Sequence, residues 1–95
     1  MNIELEETSR TGRYFIPADD SDTDVAELTF SKLNETTISA DRTYVPQRYR
    51  GQGIAGMLVE RLVADARINN LKIVPACSYV RTAFERHPEW SDVSN

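Results

Sequence analysis

Nine residues, Arg48-Tyr49-Arg50-Gly51-Gln52-Gly53-Ile54-Ala55-Gly56, restrict what this chain can fold into more than any others. Two cationic side chains lead into a glycine-rich turn, and the turn opens directly into a segment of apolar periodicity. Glycine lets the backbone curl tightly and adopt left-handed φ values. The first N–H groups of the helix that follows have no partner inside it. Together with the positive end of the helix dipole, such donors favour an anion, most often a phosphate. The turn therefore predicts a strand-to-helix junction that holds a phosphate-bearing ligand.

The segments around this junction read as strands before it and helices after it. Ile3 and Leu5 alternate with Glu4 and Glu6, as in a short half-exposed strand. Arg13-Tyr14-Phe15-Ile16 reads as a second strand ended by Pro17, and Asp19-Asp20-Ser21-Asp22-Thr23-Asp24 as a solvated polar turn. A third strand runs over 25–33, with Ala26, Leu28 and Phe30 on one face and Glu27, Thr29 and Ser31 on the other. Asn34-Glu35 is a tight turn into a fourth strand over 36–45, stopped by Pro46. Connections this short join antiparallel neighbours, because a parallel crossover takes a dozen residues or more.

The central helix is expected from about Gly53 to about Asn69. Ile54, Ala55, Leu58, Val59, Leu62 and Ala66 form its apolar face, with Val63 at the margin and Glu60, Arg61, Asp65 and Arg67 opposite. Asn69-Asn70 ends it, and residues 71–74 return as a strand parallel to the fourth. A short helix from Ser78 to Arg86 stops at His87-Pro88, and the tail from Glu89 to Asn95 is expected to add edge structure or to fray. The expected class is α/β (α+β), a mixed and mainly antiparallel sheet carrying a long central helix and a short C-terminal one. At 95 residues the chain is read as one domain, 1–95, with one modest core.

Gly51-Gln52-Gly53-Ile54-Ala55-Gly56 formally satisfies the dinucleotide pattern G-x-G-x-x-G. That pattern needs an acidic residue about 20 positions on to hold the ribose. Leu71-Lys72-Ile73-Val74-Pro75 supplies none, and too little chain follows for a doubly wound sheet. No Gly-Lys-Ser or Gly-Lys-Thr completes a P-loop either. The net charge of −4 argues against a general nucleic-acid binder, and it could help draw in a cationic amine. One cysteine forms no internal disulfide, which fits a reducing cytoplasm, and one cysteine with one histidine makes no zinc site. The first residues show no basic-then-apolar leader, and no run reaches membrane-spanning length.

Arg48-x-x-Gly51-x-Gly53, after four antiparallel strands and at the start of the central helix, resembles the pyrophosphate-binding signature of the GCN5-related N-acetyltransferase family. Tyr44-Val45-Pro46 with Arg50-Gly51-Gln52-Gly53-Ile54-Ala55 is similar to a branch of very short members. So is the block Leu71-Lys72-Ile73-Val74-Pro75-Ala76-Cys77-Ser78-Tyr79-Val80, closing with His87-Pro88-Glu89-Trp90. The likeness is strongest from about Thr43 to Trp90.

The resemblance implies that acetyl-CoA lies in a splay between the fourth and fifth strands. Its pyrophosphate would rest on the amides of the turn, here Arg50, Gly51, Gln52, Gly53, Ile54 and Ala55, and its pantetheine arm on the strand edge at Tyr44 and Val45. Arg48 and Arg50 would add charge-assisted contacts, and Ser78 would complete the cofactor-binding set. Pro46 and Pro75 each withhold a donor where the strands would diverge. In the short branch a cysteine at the position of Cys77 is a proposed acetyl acceptor, and the start of a helix there favours a thiolate. The alternative is a small residue lining the thioester pocket while the amine attacks acetyl-CoA directly.

Two departures from the family pattern stand out. Larger members often carry a tyrosine in the last helix that protonates the departing CoA thiolate. Here the nearest match is Phe84, which has no hydroxyl, and Tyr79 lies about a turn earlier. The short branch often has a histidine before the Thr-x-Val segment, where this chain has Arg42, which cannot act as a base. Asp41 and His87 are weaker candidates, read as a solvated carboxylate and a helix end. Tyr79, Phe84 and Trp90 could flank an adenine or belong to the core. The expected activity is acetyl transfer to an amine, with small metabolites, polyamines, aminoglycosides and protein amines all open. A non-catalytic acyl-CoA-binding module is the alternative, and a phosphate-sensing domain for another nucleotide a third. Sheet edges leave a monomer or a weak homodimer open.

Overall fold

The computed structural model describes residues 2–18 and 24–95. Most of the expected polar turn at 19–24 therefore lies outside the described residues. Strands β1 (Glu4–Glu7), β2 (Thr11–Phe15), β3 (Glu27–Lys32) and β4 (Thr37–Tyr44) form an antiparallel meander. Helix α1 (Ile54–Asn69) then crosses over, and β5 (Lys72–Val74) pairs parallel to β4 at the edge of a five-stranded sheet in sequential order. Helix α2 (Ser78–Arg86) and a 3-10 turn (Pro88–Val93) follow. The element order and types match the sequence expectation; strand ends differ by one or two residues, the usual fraying range.

Alternation in β2 and β3 sends Tyr14, Leu28 and Phe30 toward α1, which buries Ile54, Leu58, Val59, Leu62, Val63 and Ala66 against them. Val63 is a full core residue and not a marginal one, because α2 and the terminal turn also pack on α1 and widen its buried stripe. Asp65, expected on the solvated side, is half-buried and accepts a 2.8 Å hydrogen bond from the Tyr14 hydroxyl. Burial first, then that carboxylate, pushes the Tyr14 phenol far above its ordinary value, so it stays protonated as a donor.

Helix α1 closes at Asn70 in the left-handed region (φ 57°), with Leu71 N–H donating to the Ala66 carbonyl at 2.9 Å. That six-to-one bond satisfies a carbonyl at the helix end. The tail docks. Trp90 and Val93 enter the core, Arg67 grips Asp92 at 2.8 and 3.0 Å, and Ser94 bridges Ile73 on the free edge of β5. Covering that edge removes a template for pairing with another chain.

Gly12 shows where the sheet is tightest, since a Cβ there would overlap the Phe30 ring. Gly12→Ala is expected to destabilise the fold by about 1–3 kcal/mol in urea unfolding. In the Phe30→Leu background the same change should cost less than half as much; equal cost in both would show that the ring is not the obstacle.

Candidate functional site

Chain leaves the sheet at Tyr44 through Val45 and the buried Pro46, and makes a 3-10 turn over Gln47–Tyr49. Gly51 (φ 82°) and Gly53 (φ 74°) are both left-handed, and a Cβ on either would meet nothing within 4 Å. Backbone conformation alone demands glycine here, and the space above the turn is open. Gly53 is the N-cap of α1; no side chain caps it, and the first turn contains no acidic residue. The ladder begins with Met57 N–H to the Gly53 carbonyl at 3.1 Å. The amides of Ile54, Ala55 and Gly56 therefore have no partner within the helix. Ile54 and Ala55 border a cavity of about 240 Å³ that Val45, Tyr49, Arg50, Gly51, Gly53 and Tyr79 also line. Uncompensated amides at the positive end of a 16-residue helix suit an anion.

The arginines are held beside this turn. Arg50 lines the cavity and its Nε donates to the Val45 carbonyl at 3.2 Å. Arg48 stacks over Tyr49 at 4.5 Å and donates to the Asp24 carbonyl. Gln52 Nε2 reaches back to the Arg48 carbonyl at 3.3 Å. Tyr44, on the sheet face away from α1, donates to Asp24 at 3.0 Å, and that carboxylate raises its phenol above the ordinary value. Val45 packs against the core at the cavity wall, while Ser78 is exposed and stays out of the lining.

Strands β4 and β5 pair over only three positions, Thr37–Lys72, Ile38–Ile73 and Ser39–Val74. Beyond them, Pro75 turns the chain, with Ala76 N–H bonded to the Val74 carbonyl at 3.0 Å. Among the described residues no strand pairs with the β5-facing edge of β4 beyond Ser39. One backbone bond crosses the gap, from Cys77 N–H to the Ala40 carbonyl at 2.8 Å. Cys77 is the half-buried N-cap of α2, and its thiol donates to Thr43 Oγ1 at 3.6 Å. The sulfur closes no capping hydrogen bond in this thiol form. Burial pushes the Cys77 thiol up, but the nearby amides of Val80 and Tyr79 together with Thr43 outweigh it and hold the thiol below its ordinary value.

The other sequence candidates are occupied elsewhere. Asp41 is exposed and accepts from Ser31 and, at 2.7 Å, from Ser39. Arg42 lies over the Tyr44 ring at 5.3 Å, on the face opposite Leu28 and Thr43. His87 stacks on Trp90 at 4.1 Å and bonds Glu89 at 2.9 Å, and Phe84 meets Trp90 edge-on. These aromatics, Trp90 above all, are core and surface packing. Tyr79 is different: it is exposed, and its hydroxyl would sit 3.8 Å from a Cβ on Gly56. A side chain as small as a methyl at 56 would meet that hydroxyl in ordinary van der Waals contact, so packing does not demand the third glycine. The largest concavity, about 540 Å³, lies at the far end of α1 beside Leu5, Asp65 and Asn69, and neither the glycine turn nor Cys77 lines it. It lies at the C-terminal end of α1, so it offers no helix N-terminus, and no cysteine lines it. Among the described residues no group of three metal-ligating side chains exists, and no helix is long and apolar enough to cross a membrane.

Comparison with known proteins gives two findings. The family model described as GCN5-related N-acetyl-transferase matches residues 13–93. The solution structure of a GCN5-like protein from Staphylococcus aureus, itself an N-acetyltransferase candidate, is 31% identical and superimposes with a TM-score of 0.74. The match covers 99% of this chain and 89% of that one.

Because nothing crowds Gly53, its replacement should cost only backbone strain. Gly53→Val is expected to lose about 1–2 kcal/mol of stability and Gly53→Asn clearly less, measured by urea unfolding. Equal losses would contradict a purely conformational requirement.

Proposed function

The chain belongs to the GCN5-related N-acetyltransferase family, and on that premise we propose that it transfers an acetyl group from acetyl-CoA to an amine by way of Cys77. Members of this family use acetyl-CoA, which supplies an acyl group activated as a thioester. The residues fit it. The uncapped amides of Ile54, Ala55 and Gly56, next to two left-handed glycines with open space above them, suit its pyrophosphate. Arg50, already at the cavity wall, adds charge, and Arg48 can do so by turning from the Asp24 carbonyl. Gln52 fixes the turn through its bond to the Arg48 carbonyl. The open edge of β4 toward Tyr44 and Val45 is the place for an extended arm that pairs with backbone. Ser78, exposed and next in sequence to Cys77, lies outside the cavity lining and is assigned to the cofactor by the family resemblance alone.

The observation that carries the reading is this convergence: the anion-suited turn and the only thiol stand at the same end of the split between β4 and β5. In the first half-reaction the Cys77 thiolate attacks the thioester carbonyl. A new C–S bond forms, the bond to the CoA sulfur breaks, and that sulfur leaves with the electron pair. In the second half-reaction a neutral amine attacks the acetyl-cysteine, the thiolate departs, and the amide nitrogen gives up its extra proton to solvent. No side-chain base is assigned, since Arg42 cannot serve and Asp41 and His87 are engaged elsewhere.

Acetyl-CoA alone should make the protein one acetyl unit heavier at Cys77, in a bond cleaved by hydroxylamine, and mass spectrometry reads this directly. Cys77→Ala should abolish both the adduct and amine-dependent CoA release. Full turnover in Cys77→Ala would establish direct attack by the amine. An adduct-free protein that binds acetyl-CoA and releases no CoA with any amine would favour a binding module, a reading to which Phe84 and Arg42 lend weight.

A further inference from the structure

The register of β4 contains an irregularity that bears on Cys77. Thr29 pairs with Arg42 and Phe30 with Ala40, so Asp41 is an extra residue on β4. Without a bulge, residues 40 and 43 would point to opposite faces, because strand side chains alternate. With it, Ala40 and Thr43 share the face that looks toward α1, opposite Phe30 and Leu28 respectively. Both then reach one residue. The Ala40 carbonyl accepts from Cys77 N–H at 2.8 Å, and Thr43 Oγ1 accepts from the Cys77 thiol at 3.6 Å. Asp41 is displaced to the opposite face, where Ser31 and Ser39 occupy its oxygens.

We propose that Thr43 is a positioning residue for Cys77: its hydroxyl accepts from the thiol and, once the proton has left, turns to donate to the sulfur. This inference rests on the reading of Cys77 as the acyl carrier and names a second residue on which that role depends. A hydroxyl is the one small group that serves both forms, since it is donor and acceptor at once. The neutral thiol keeps its partner before reaction, and the thiolate gains a donor when it forms, with the proton passing to solvent. The direction of the Cys77 shift agrees, as Thr43 is among the groups favouring the thiolate. Charged groups do not substitute for it. Arg42 is on the other face of β4, and on α2 the influences on the sulfur are the amides of Val80 and Tyr79. Arg81 on the same helix joins Cys77 only through its backbone N–H, at 2.9 Å from the Cys77 carbonyl. The bulge is thus the device that turns a threonine otherwise facing away into a partner of the nucleophile.

Alkylation by iodoacetamide tests this on the intact protein without acetyl-CoA, because Cys77 is the only cysteine. The rate against pH gives the midpoint at which the thiolate forms. The midpoint is a cleaner readout than the rate at one pH, since a thiol of higher pKa is also intrinsically more nucleophilic. Thr43→Val and Thr43→Ala should raise the midpoint by roughly half to one pH unit, as expected for losing one hydrogen bond to a partly exposed anion. Thr43→Ser should restore it to within a few tenths of wild type. Amide NMR spectra of each variant check that the sheet is intact. An unmoved midpoint in both hydroxyl-less variants would overturn the proposal. So would a shift in Thr43→Ser as large as in Thr43→Val, which would assign the effect to the lost methyl packing. A shifted midpoint in a protein that never forms acetyl-Cys77 would keep the role of Thr43 and refute the acyl-carrier reading, so the two can fail separately.

Discussion

Three parallel residue pairs between β4 and β5 set the geometry on which the rest depends. Parallel pairing forces a crossover, and the crossover is α1. Two parallel strands end at the same side of the sheet, so the helices that follow them both begin there. The N-terminus of α1 and the N-terminus of α2 therefore converge, and with them two positive dipole ends. One is left bare by Gly53, and the other lies beside a thiol. Crevices at the carboxyl ends of parallel strands are common ligand sites for this reason. Here the rest of the sheet is antiparallel, so the crevice is confined to one strand pair.

Pairing that stops after three residues matters as much as pairing that starts. Pro75 and the buried Pro46 withdraw backbone donors from the two chains as they leave the sheet. The single bond from Cys77 to Ala40 then fixes the depth of the gap. Stability is supplied elsewhere, by the seam between α1 and the inner faces of β2, β3 and β5 and by the docked tail. That separation lets the glycine turn stay open without loosening the core.

Much of this was legible from residue patterns. Alternation exposed β3, the caps at Gly53 and Asn70 bounded α1, and Ser78–Arg86 was bounded correctly because His87-Pro88 ends it. The glycine turn was legible because left-handed positions admit few residues other than glycine. Contacts across long sequence separations were not. Tyr14 and Asp65 lie 51 residues apart, and no local pattern marks Asp65 as the carboxylate that turns inward. Val63 gained its burial from elements that follow it. The bulge at Asp41 left no mark either: strict alternation along β4 would put Ala40 and Thr43 on opposite faces, and only the register shift brings them together. Arg48 and Arg50 were recognised as neighbours of the turn, but their bonds to the Asp24 and Val45 carbonyls come from the tertiary path of the loop.

We propose that the glycine turn and Cys77 form one site for acetyl-CoA. Isotope-labelled protein titrated with acetyl-CoA, with backbone amides followed by NMR, shows which residues the ligand reaches. Large, saturable shifts are expected at Gly51, Gly53 and Ile54, with smaller ones at Val45 and Cys77 and none near Asp65 and Asn69. Shifts centred on the far cavity, or no shifts at millimolar ligand, would rule out a shared site for acetyl-CoA at the turn and Cys77.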